Sequence, residues 1–258
     1  MTTFMHVYRD ERVLLRALTQ RMHNELVSSI DIVSAAAVRT ENRDVKVALS
    51  NVVDLLEQHA EVHRVLAVPD SRGLVDSAEC IRKLGLAVSR SLAPNGVRLS
   101  LVADTLPLES ERCWRLALAV HELVTNAARH AYFDGRDGAI KIKLSLTDSV
   151  VNCIVADNGS LPARLKPARG LQTVGDLAKS LGGRIEYGFG AQFSSFLVVF
   201  PLTECERRAN RAIALRRGRG APRAQVVLSR PQATNASSDP ADINPAAKAP
   251  LRREIENA

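Results

Sequence analysis

The chain has 258 residues, of which 46% are hydrophobic and 24% are charged, and this composition predicts a soluble globular protein of one or two domains. The net charge of +7 is concentrated from Glu204 onward, where 11 Lys and Arg stand against 6 Asp and Glu. Because the body of the chain is nearly neutral, its charge gives little support for nucleic-acid binding by the folded part.

The first segment, residues 10–69, has the apolar pattern of two helices. Apolar residues recur at spacings of three and four from Val13 to Ala37 and again from Val45 to Leu66, with the polar stretch "TENRD" between them and Pro69 after them. This pattern predicts an antiparallel helical hairpin. We expect its uncovered apolar face to pair with a second copy as a four-helix bundle; the alternative is that it packs on the rest of the same chain.

The second segment, residues 70–202, mixes helical and strand patterns. Asp76 or Ser77 caps a helix over "VDSAECIRKLGLAVSRSL", and two further helices are predicted over 109–131 and 170–181. Strands are predicted over 97–103, 139–147, 150–157, 183–189 and 194–202. This order predicts an α+β fold, an α/β sandwich with helices against one face of a mainly antiparallel sheet.

The third segment, residues 203–258, is poor in large apolar residues and rich in Arg, Ala and Pro. It is predicted to be a disordered basic tail, with a short basic helix over "RRANRAIALRRGRGAPRAQ" as the alternative for its first part. Its charge is the only support for an anionic or nucleic-acid partner.

Cysteine spacing and hydropathy bear on location. The four cysteines lie far apart without CxxC or Cys/His spacing, which argues against a zinc site and predicts a reducing compartment. "MTTFMHVYRD" lacks a signal-peptide pattern, and no apolar run approaches the roughly 18 residues of a membrane span. The expected location is the cytoplasm, without a membrane segment.

Helix "HELVTNAARHA", residues 121–131, separates an apolar stripe from a polar one. Glu122, Asn126 and Arg129 follow i, i+4 and i+7 spacing and share the polar face. Together they could orient a hydroxyl, bind Mg²⁺ and contact a phosphate. The alternative is an ordinary solvated helix face.

The stretch "VNCIVADNGS", residues 151–160, places a carboxylate at the end of a buried strand. Asp157 shares the parity of the buried strand residues before it, and Gly159 permits close backbone approach. Asn-Gly favours a hairpin, but "SLPARLKPA" makes a poor second strand. Gly170, at the start of the next helix, could offer backbone N–H groups to an anion.

In this order, the motifs resemble the ATP-binding domain shared by sensor histidine kinases, Hsp90 chaperones, type II topoisomerases and MutL proteins. "HELVTNAARHA" is similar to the N box, "DNGS" to the first glycine box, and "RGLQTVGDLAKSLGGRIEY" to the second. The hairpin resembles the dimerisation and histidine-phosphotransfer module of short-lid histidine kinases. His121 matches the subgroup whose N box begins His-Glu, although its Trp-x-Glu motif is missing. The resemblance covers residues 10–202.

The resemblance implies ATP and Mg²⁺ as ligands and a phosphate-binding side built on the N box. Glu122 would polarise the attacking nucleophile, and Asn126 would bind Mg²⁺ through the phosphates. Arg129 or His130 would contact phosphate.

The resemblance also implies an adenine-binding side and a lid. Asp157 would accept a hydrogen bond from the adenine amino group, with Gly159 leaving room for the base and Ser194 supplying a hydroxyl nearby. Gly170 and Leu171 would form the phosphate side of the lid.

The phosphoacceptor position departs from the family. The family pattern L-x-His-Arg-x-x-Asn places its histidine at Gln20, followed here by Arg21 and Asn24. A carboxamide has no imidazole nitrogen and cannot carry a phosphoryl group. His23 is a possible substitute, but it lies about 4.5 Å further along the helix axis, so the ATP-binding domain would have to dock differently.

Two positions near the expected pocket also depart from the family. Ala168 replaces the first glycine of the lid, and Phe193 replaces the glycine before Ser194. Because phosphate-binding loops depend on glycine for close approach, we expect weakened nucleotide affinity.

The sequence therefore predicts a cytoplasmic, homodimeric, histidine-kinase-like protein that binds ATP and Mg²⁺ and takes part in two-component phosphorelay with a response-regulator receiver domain. Autophosphorylation is in doubt because Gln20 replaces the acceptor histidine. The alternative is a degenerate phosphotransfer or scaffold protein that docks response regulators without using ATP.

Overall fold

The computed structural model describes residues 2–70, 72–130, 137–159, 169–190, 193–217 and 225–228. The chain begins with two long helices, α1 (Thr2–Arg39) and α2 (Arg43–Val65), packed together as the predicted hairpin. The side chain of Asn42 caps α2 by accepting from the backbone N–H groups of Asp44 and Val45 at 2.9 and 3.2 Å. At the far end, Arg16 donates to the carbonyl of Pro69 at 2.6 Å, so the helices run antiparallel.

The main sheet has six strands in the order β6-β7-β5-β4-β2-β8. They are β2 (Val97–Ala103), β4 (Gly138–Thr147), β5 (Val150–Asp157), β6 (Arg184–Gly190), β7 (Phe193–Pro201) and β8 (Gln225–Val227). Within the described ranges only the β2–β4 pair is parallel, so the predicted mainly antiparallel sheet is confirmed. Two short strands that were not predicted, β1 (Leu74–Asp76) and β3 (Pro107–Glu109), pair separately.

Three helices form the second layer: α3 (Ser77–Leu92), α4 (Ser110–His130) and α5 (Arg169–Ser180). The apolar faces of these helices and the inward residues of the sheet form one core, because amphipathic helices and alternating strands bury one face each. Its fully buried members include Leu84, Leu116 and Leu123 from the helices, and Leu99, Ile142 and Val155 from the strands. The α/β sandwich predicted from the sequence is confirmed.

The first part of the segment after residue 203 is ordered, and its helix overlaps the short basic helix that the sequence left open as the alternative to a disordered tail. Helix α6 (Glu204–Arg217) follows β7, and β8 pairs antiparallel with β2. Glu206 is fully buried and accepts from the N–H of Glu109 at 2.9 Å, from Arg112 Nε at 3.0 Å and from the N–H of Thr203 at 2.8 Å. One satisfied buried carboxylate thus anchors a helix whose composition indicates a solvated tail. Residues 229–258 lie outside the described residues.

The hairpin contacts the sandwich through the end of α2. The indole N–H of Trp114 in α4 donates to the carbonyl of Leu66 at 2.8 Å, and Val62 and Val65 pack against the sandwich core. Across the described ranges, no helix combines the length and the apolar character needed to cross a membrane.

Candidate nucleotide-binding site

Helix α4 separates its two stripes as the sequence predicts. Leu116, Val120 and Leu123 are at most 1% exposed and face the core. Glu122 and Asn126 are half-buried, whereas Arg129 is exposed. The carboxylate and the carboxamide therefore lie at the border between helix and solvent, where a ligand can reach them.

The N-terminus of α5 lies against this polar face. A Cβ atom added at Gly170 would be 2.7 Å from Asn126 Nδ2 and 3.1 Å from Glu122 Oε2, so any larger residue would require the Asn126 side chain to shift. The first N–H groups of a helix have no intrahelical partner, and the helix dipole attracts negative charge there. The structure thus brings Glu122, Asn126 and Gly170 together in an arrangement suited to an anion and its metal ion.

Asp157 ends β5 on the buried face. Asp157 as a residue is 6% exposed, and its Oδ1 accepts from the Gly159 N–H at 2.9 Å. Burial raises the pKa of Asp157, and the Gly159 N–H and the Ser194 hydroxyl partly offset this rise. A buried acceptor beside a glycine is suited to recognising an amino group on a flat ring.

The strand end beside Asp157 is held by Asn158, which the sequence reasoning did not single out. Its Oδ1 accepts from the Ala139 N–H at 2.7 Å, and its Nδ2 donates to the Asp137 carbonyl at 3.0 Å. The asparagine thus ties β5 to the start of β4. An Asn directly after a strand was the available signal, because its side chain readily mimics backbone hydrogen bonds.

Two buried polar atoms in this region, Asn126 Nδ2 and Ser194 Oγ, make no hydrogen bond of good geometry within the described part of the chain. Ser194 stands opposite Asp157 in the β5–β7 register, close enough to lower the pKa of that carboxyl group but without a well-aligned bond. Unpaired buried polar groups are uncommon and costly, so these atoms fit a site that a polar ligand completes. Residues for a nucleotide and for one Mg²⁺ held through its phosphates are therefore present. The described residues contain no cluster of three or more His, Cys, Asp or Glu able to hold a metal without such help.

Among the other positions predicted to lie at the site, those whose side chains are described contribute none to the arrangement of Glu122, Asn126 and Gly170. Leu171 is half-buried and its side chain packs against the core. A phosphate could therefore be bound only by its backbone. Phe193 is 53% exposed, and neighbouring strand residues alternate in direction, so its ring faces away from the side on which Ser194 is buried. The side chain of His130 and all of Ala168 lie outside the described residues.

The phosphoacceptor segment lies on α1. Gln20 is exposed, and its Nε2 donates to Asn24 Oδ1 at 3.0 Å. His23 is half-buried instead, and its Nδ1 is a buried atom without a partner in the described residues. Gln20 and His23 therefore occupy different environments.

Four histidines from three helices influence one another, which the sequence reasoning missed. His63 of α2 is half-buried, and burial lowers its pKa, with further contributions from His59 and His23. Burial also lowers the pKa of His121, and His63, Arg129 and His59 lower it further. The residue that precedes Glu122 is thus electrostatically coupled to the hairpin.

Comparisons with known proteins bear on the family and the fold of this domain. Residues 90–190 match the family model of the histidine kinase-like ATPase domain. The sensor histidine kinase PdtaS of Mycolicibacterium smegmatis is 26% identical to this chain over 161 residues, which cover 59% of this chain and 32% of the relative. PdtaS of Mycobacterium tuberculosis is 25% identical over 160 residues, with the same coverage. The chain thus spans about a third of the length of these curated relatives.

Among solved structures, the histidine kinase domain of the Erythrobacter litoralis EL346 blue-light activated histidine kinase superposes with a TM-score of 0.52. Its sequence identity is 19%, and the match covers 71% of this chain and 98% of that one. The two chains share a fold.

Proposed function

We propose that the chain, whose residues 90–190 match the histidine kinase-like ATPase domain, belongs to the sensor histidine kinase family. In this proposal it binds ATP with Mg²⁺ at the α4–α5 site and acts in two-component signalling in the cytoplasm. The observation that carries the proposal is the approach of Gly170 to Glu122 and Asn126. All four cysteines are free thiols, which suits a reducing compartment.

Each site residue has a role that follows from its chemistry. The carboxylate of Glu122 would accept a proton from, or orient, the attacking group. The carboxamide oxygen of Asn126 would hold Mg²⁺, which when bound neutralises phosphate charge. The N–H groups at the start of α5 would bind phosphate oxygens, and Asp157 would accept from the adenine amino group.

Nucleotide binding is tested by titrating the protein with ATP in the presence and absence of Mg²⁺. We expect wild type to bind with a Mg²⁺-dependent affinity. Asn126→Ala should remove the Mg²⁺ dependence, whereas Asp157→Asn should weaken ATP and ADP alike, because it replaces one adenine contact. Absence of binding at millimolar nucleotide would refute the binding proposal.

We further propose that the hairpin forms a homodimeric four-helix bundle that receives a response-regulator domain. The support is an apolar surface on α1 and α2 that the single chain leaves uncovered, including Leu18, Met22, Ile32, Val45, Val52 and Leu55, which are 43–66% exposed. Exposed apolar surface on this scale marks an interaction site. Sedimentation equilibrium should give the mass of two chains.

Phosphoryl transfer is the point at which the chain departs from its family. We expect wild type to show little acid-labile phosphorylation, since Gln20 offers no nucleophilic nitrogen. Gln20→His should gain such labelling, whereas Ser28→His, an exposed position on the same helix, should not. Strong labelling of wild type that His23→Ala abolishes would overturn this expectation in favour of His23.

The exposed carboxamide of Gln20 also favours a second candidate, a scaffold that docks receiver domains without using ATP. Capture of a purified receiver domain without nucleotide, by protein that fails to bind ATP, would support it. The outward direction of the Phe193 ring removes one argument for it, because that ring does not fill the pocket beside Ser194.

A further inference from the structure

Two cysteines lie at the junction between the hairpin and the sandwich. Cys80 belongs to α3 and Cys113 to α4, and both line a cavity of about 570 Å³. Glu61, Arg64 and Val65 of α2 form part of another wall of this cavity. Cys80 is half-buried, whereas Cys113 is 2% exposed. The cavity is the route by which a small solute reaches these sulfur atoms.

The two cysteines lie on the packed helices α3 and α4 and line the same cavity, and their thiols influence each other. A side-chain hydrogen bond from Cys113 lowers the pKa of Cys80 to about 7, with a smaller contribution from Lys83, and the same bond together with burial raises the pKa of Cys113 far above its usual range. The pair therefore favours the thiolate form at Cys80 and the protonated form at Cys113. A nucleophilic, accessible thiolate beside a second thiol is the arrangement found in redox-active cysteine pairs.

We propose that Cys80 and Cys113 form a redox-active pair that hydrogen peroxide oxidises to an intrachain disulfide between α3 and α4. The Cys80 thiolate attacks one peroxide oxygen, the O–O bond breaks, and the departing hydroxide takes a proton to leave as water. This step oxidises Cys80 by two electrons to a sulfenic acid. The Cys113 sulfur then attacks the Cys80 sulfur, and the hydroxyl group leaves with the Cys113 proton as a second water.

The other two cysteines serve as internal controls. Cys153 is fully buried in β5, and burial raises its pKa to about 12, so it should resist oxidation and alkylation. Cys205 is exposed on α6, so it should react with alkylating reagents in native protein. Neither lines the cavity that Cys80 and Cys113 share.

The pair lies beside a contact that joins the two parts of the chain. Trp114 follows Cys113 directly, lines the same cavity and donates its indole N–H to the carbonyl of Leu66. A disulfide would hold α3 and α4 together at the surface on which the end of α2 rests. Oxidation would therefore act at the junction and not in the nucleotide site.

The test is oxidation of the full chain under native conditions, followed by alkylation and peptide mapping by mass spectrometry. We expect equimolar hydrogen peroxide to remove two hydrogens and to link the Cys80 and Cys113 peptides within one chain. Dithiothreitol should restore both thiols. Cys205→Ser should behave as wild type, Cys80→Ser should form no disulfide, and Cys113→Ser should stop at a sulfenic acid that dimedone traps on Cys80.

A second measurement needs no variant and covers the case in which a cysteine substitution prevents folding. The rate at which wild type loses its Cys80 thiol to peroxide should rise through about pH 7. The proposal is overturned if all four thiols survive peroxide in native protein, or if the only disulfide links Cys205 residues of two chains.

Discussion

Gly170 is the position where one added methyl group would disturb the candidate nucleotide site most directly. In Gly170→Ala the new Cβ would lie 2.7 Å from Asn126 Nδ2 and 3.3 Å from its Oδ1. Non-bonded carbon contacts favour about 3.5–4.0 Å, so the carboxamide must move by somewhat under 1 Å. Because Asn126 would bind the metal, this displacement changes the position of a ligand and not merely the packing.

The expected loss of affinity in Gly170→Ala follows from how strongly function depends on the position of a ligand-binding side chain. A misplacement of about 1 Å at an active site can lower a reaction rate by a factor of about 100. The shift of Asn126 is smaller than that, so we expect Gly170→Ala to weaken Mg²⁺-dependent ATP binding by about tenfold, or about 1.4 kcal/mol. Helix propensity acts in the opposite direction, because Ala is favoured over Gly by about 1 kcal/mol in a helix interior. Loss of affinity without loss of fold stability is therefore the expected signature.

Gly175 supplies the matched control on the same helix. A Cβ added there would meet only Ile185 Cγ2 at 4.0 Å, an ordinary contact. Gly175→Ala should therefore raise the melting temperature and leave nucleotide affinity unchanged. Calorimetric titration with ATP, with and without Mg²⁺, measures binding, and thermal unfolding measures stability. Equal affinity of Gly170→Ala and wild type, or equal loss in both variants, would refute the reasoning.

Two further predictions concern stability. Glu206→Ala should destabilise the fold by about 3 kcal/mol in urea unfolding, because it leaves Arg112 and the N–H groups of Glu109 and Thr203 without their buried acceptor. Glu204→Ala, which removes the exposed ion pairs with Arg207 and Arg208, should change little. Equal effects of the two substitutions would contradict the anchoring role of Glu206. Burial holds the pKa values of His63 and His121 below 6.5. In mild acid the unfolded chain therefore binds more protons than the folded chain. The contribution of the two neutral histidines to stability is complete above about pH 7.5 and is lost as the pH falls through 6.5 toward the lower folded values. Urea midpoints measured from about pH 8 to 5.5 should show this decline, and His63→Asn with His121→Gln should flatten it; an unchanged slope in that double variant would contradict the assignment.

Much of the sandwich could be predicted because its elements have local signals. The parity of Val151, Cys153 and Val155 extends to Asp157, and all four are buried, so period two alone locates the carboxylate. In the same way, the spacing of Glu122 and Asn126 puts them on one face of α4. Spacing could not predict the approach of Gly170 to Glu122 and Asn126, because that approach depends on how α5 packs against α4.

The parts that were missed depend on partners distant in sequence. Helix α6 is anchored by Glu206, whose acceptor contacts lie 94 and 97 residues away at Arg112 and Glu109. The composition of the segment from residue 204 onward gives the number of its charges, but it does not indicate that the charge of Glu206 is buried and paired. The four histidines come from three helices, and the Cys80–Cys113 contact crosses a helix interface, so no local pattern indicates them.

The geometry also separates nucleotide binding from phosphoryl transfer. The residues proposed to bind the nucleotide lie on α4, β5, α5 and β7, whereas the acceptor position lies on α1, where Gln20 is exposed and hydrogen-bonded to Asn24 of the same helix. His23 is half-buried, so its imidazole is less accessible to a phosphate than the side chain at position 20. Gln20→His needs no rearrangement, because it places an imidazole where the carboxamide already faces solvent. If the site on α4 and α5 binds ATP, that single substitution should therefore restore labelling, and its failure would locate the defect in how the two parts of the chain dock.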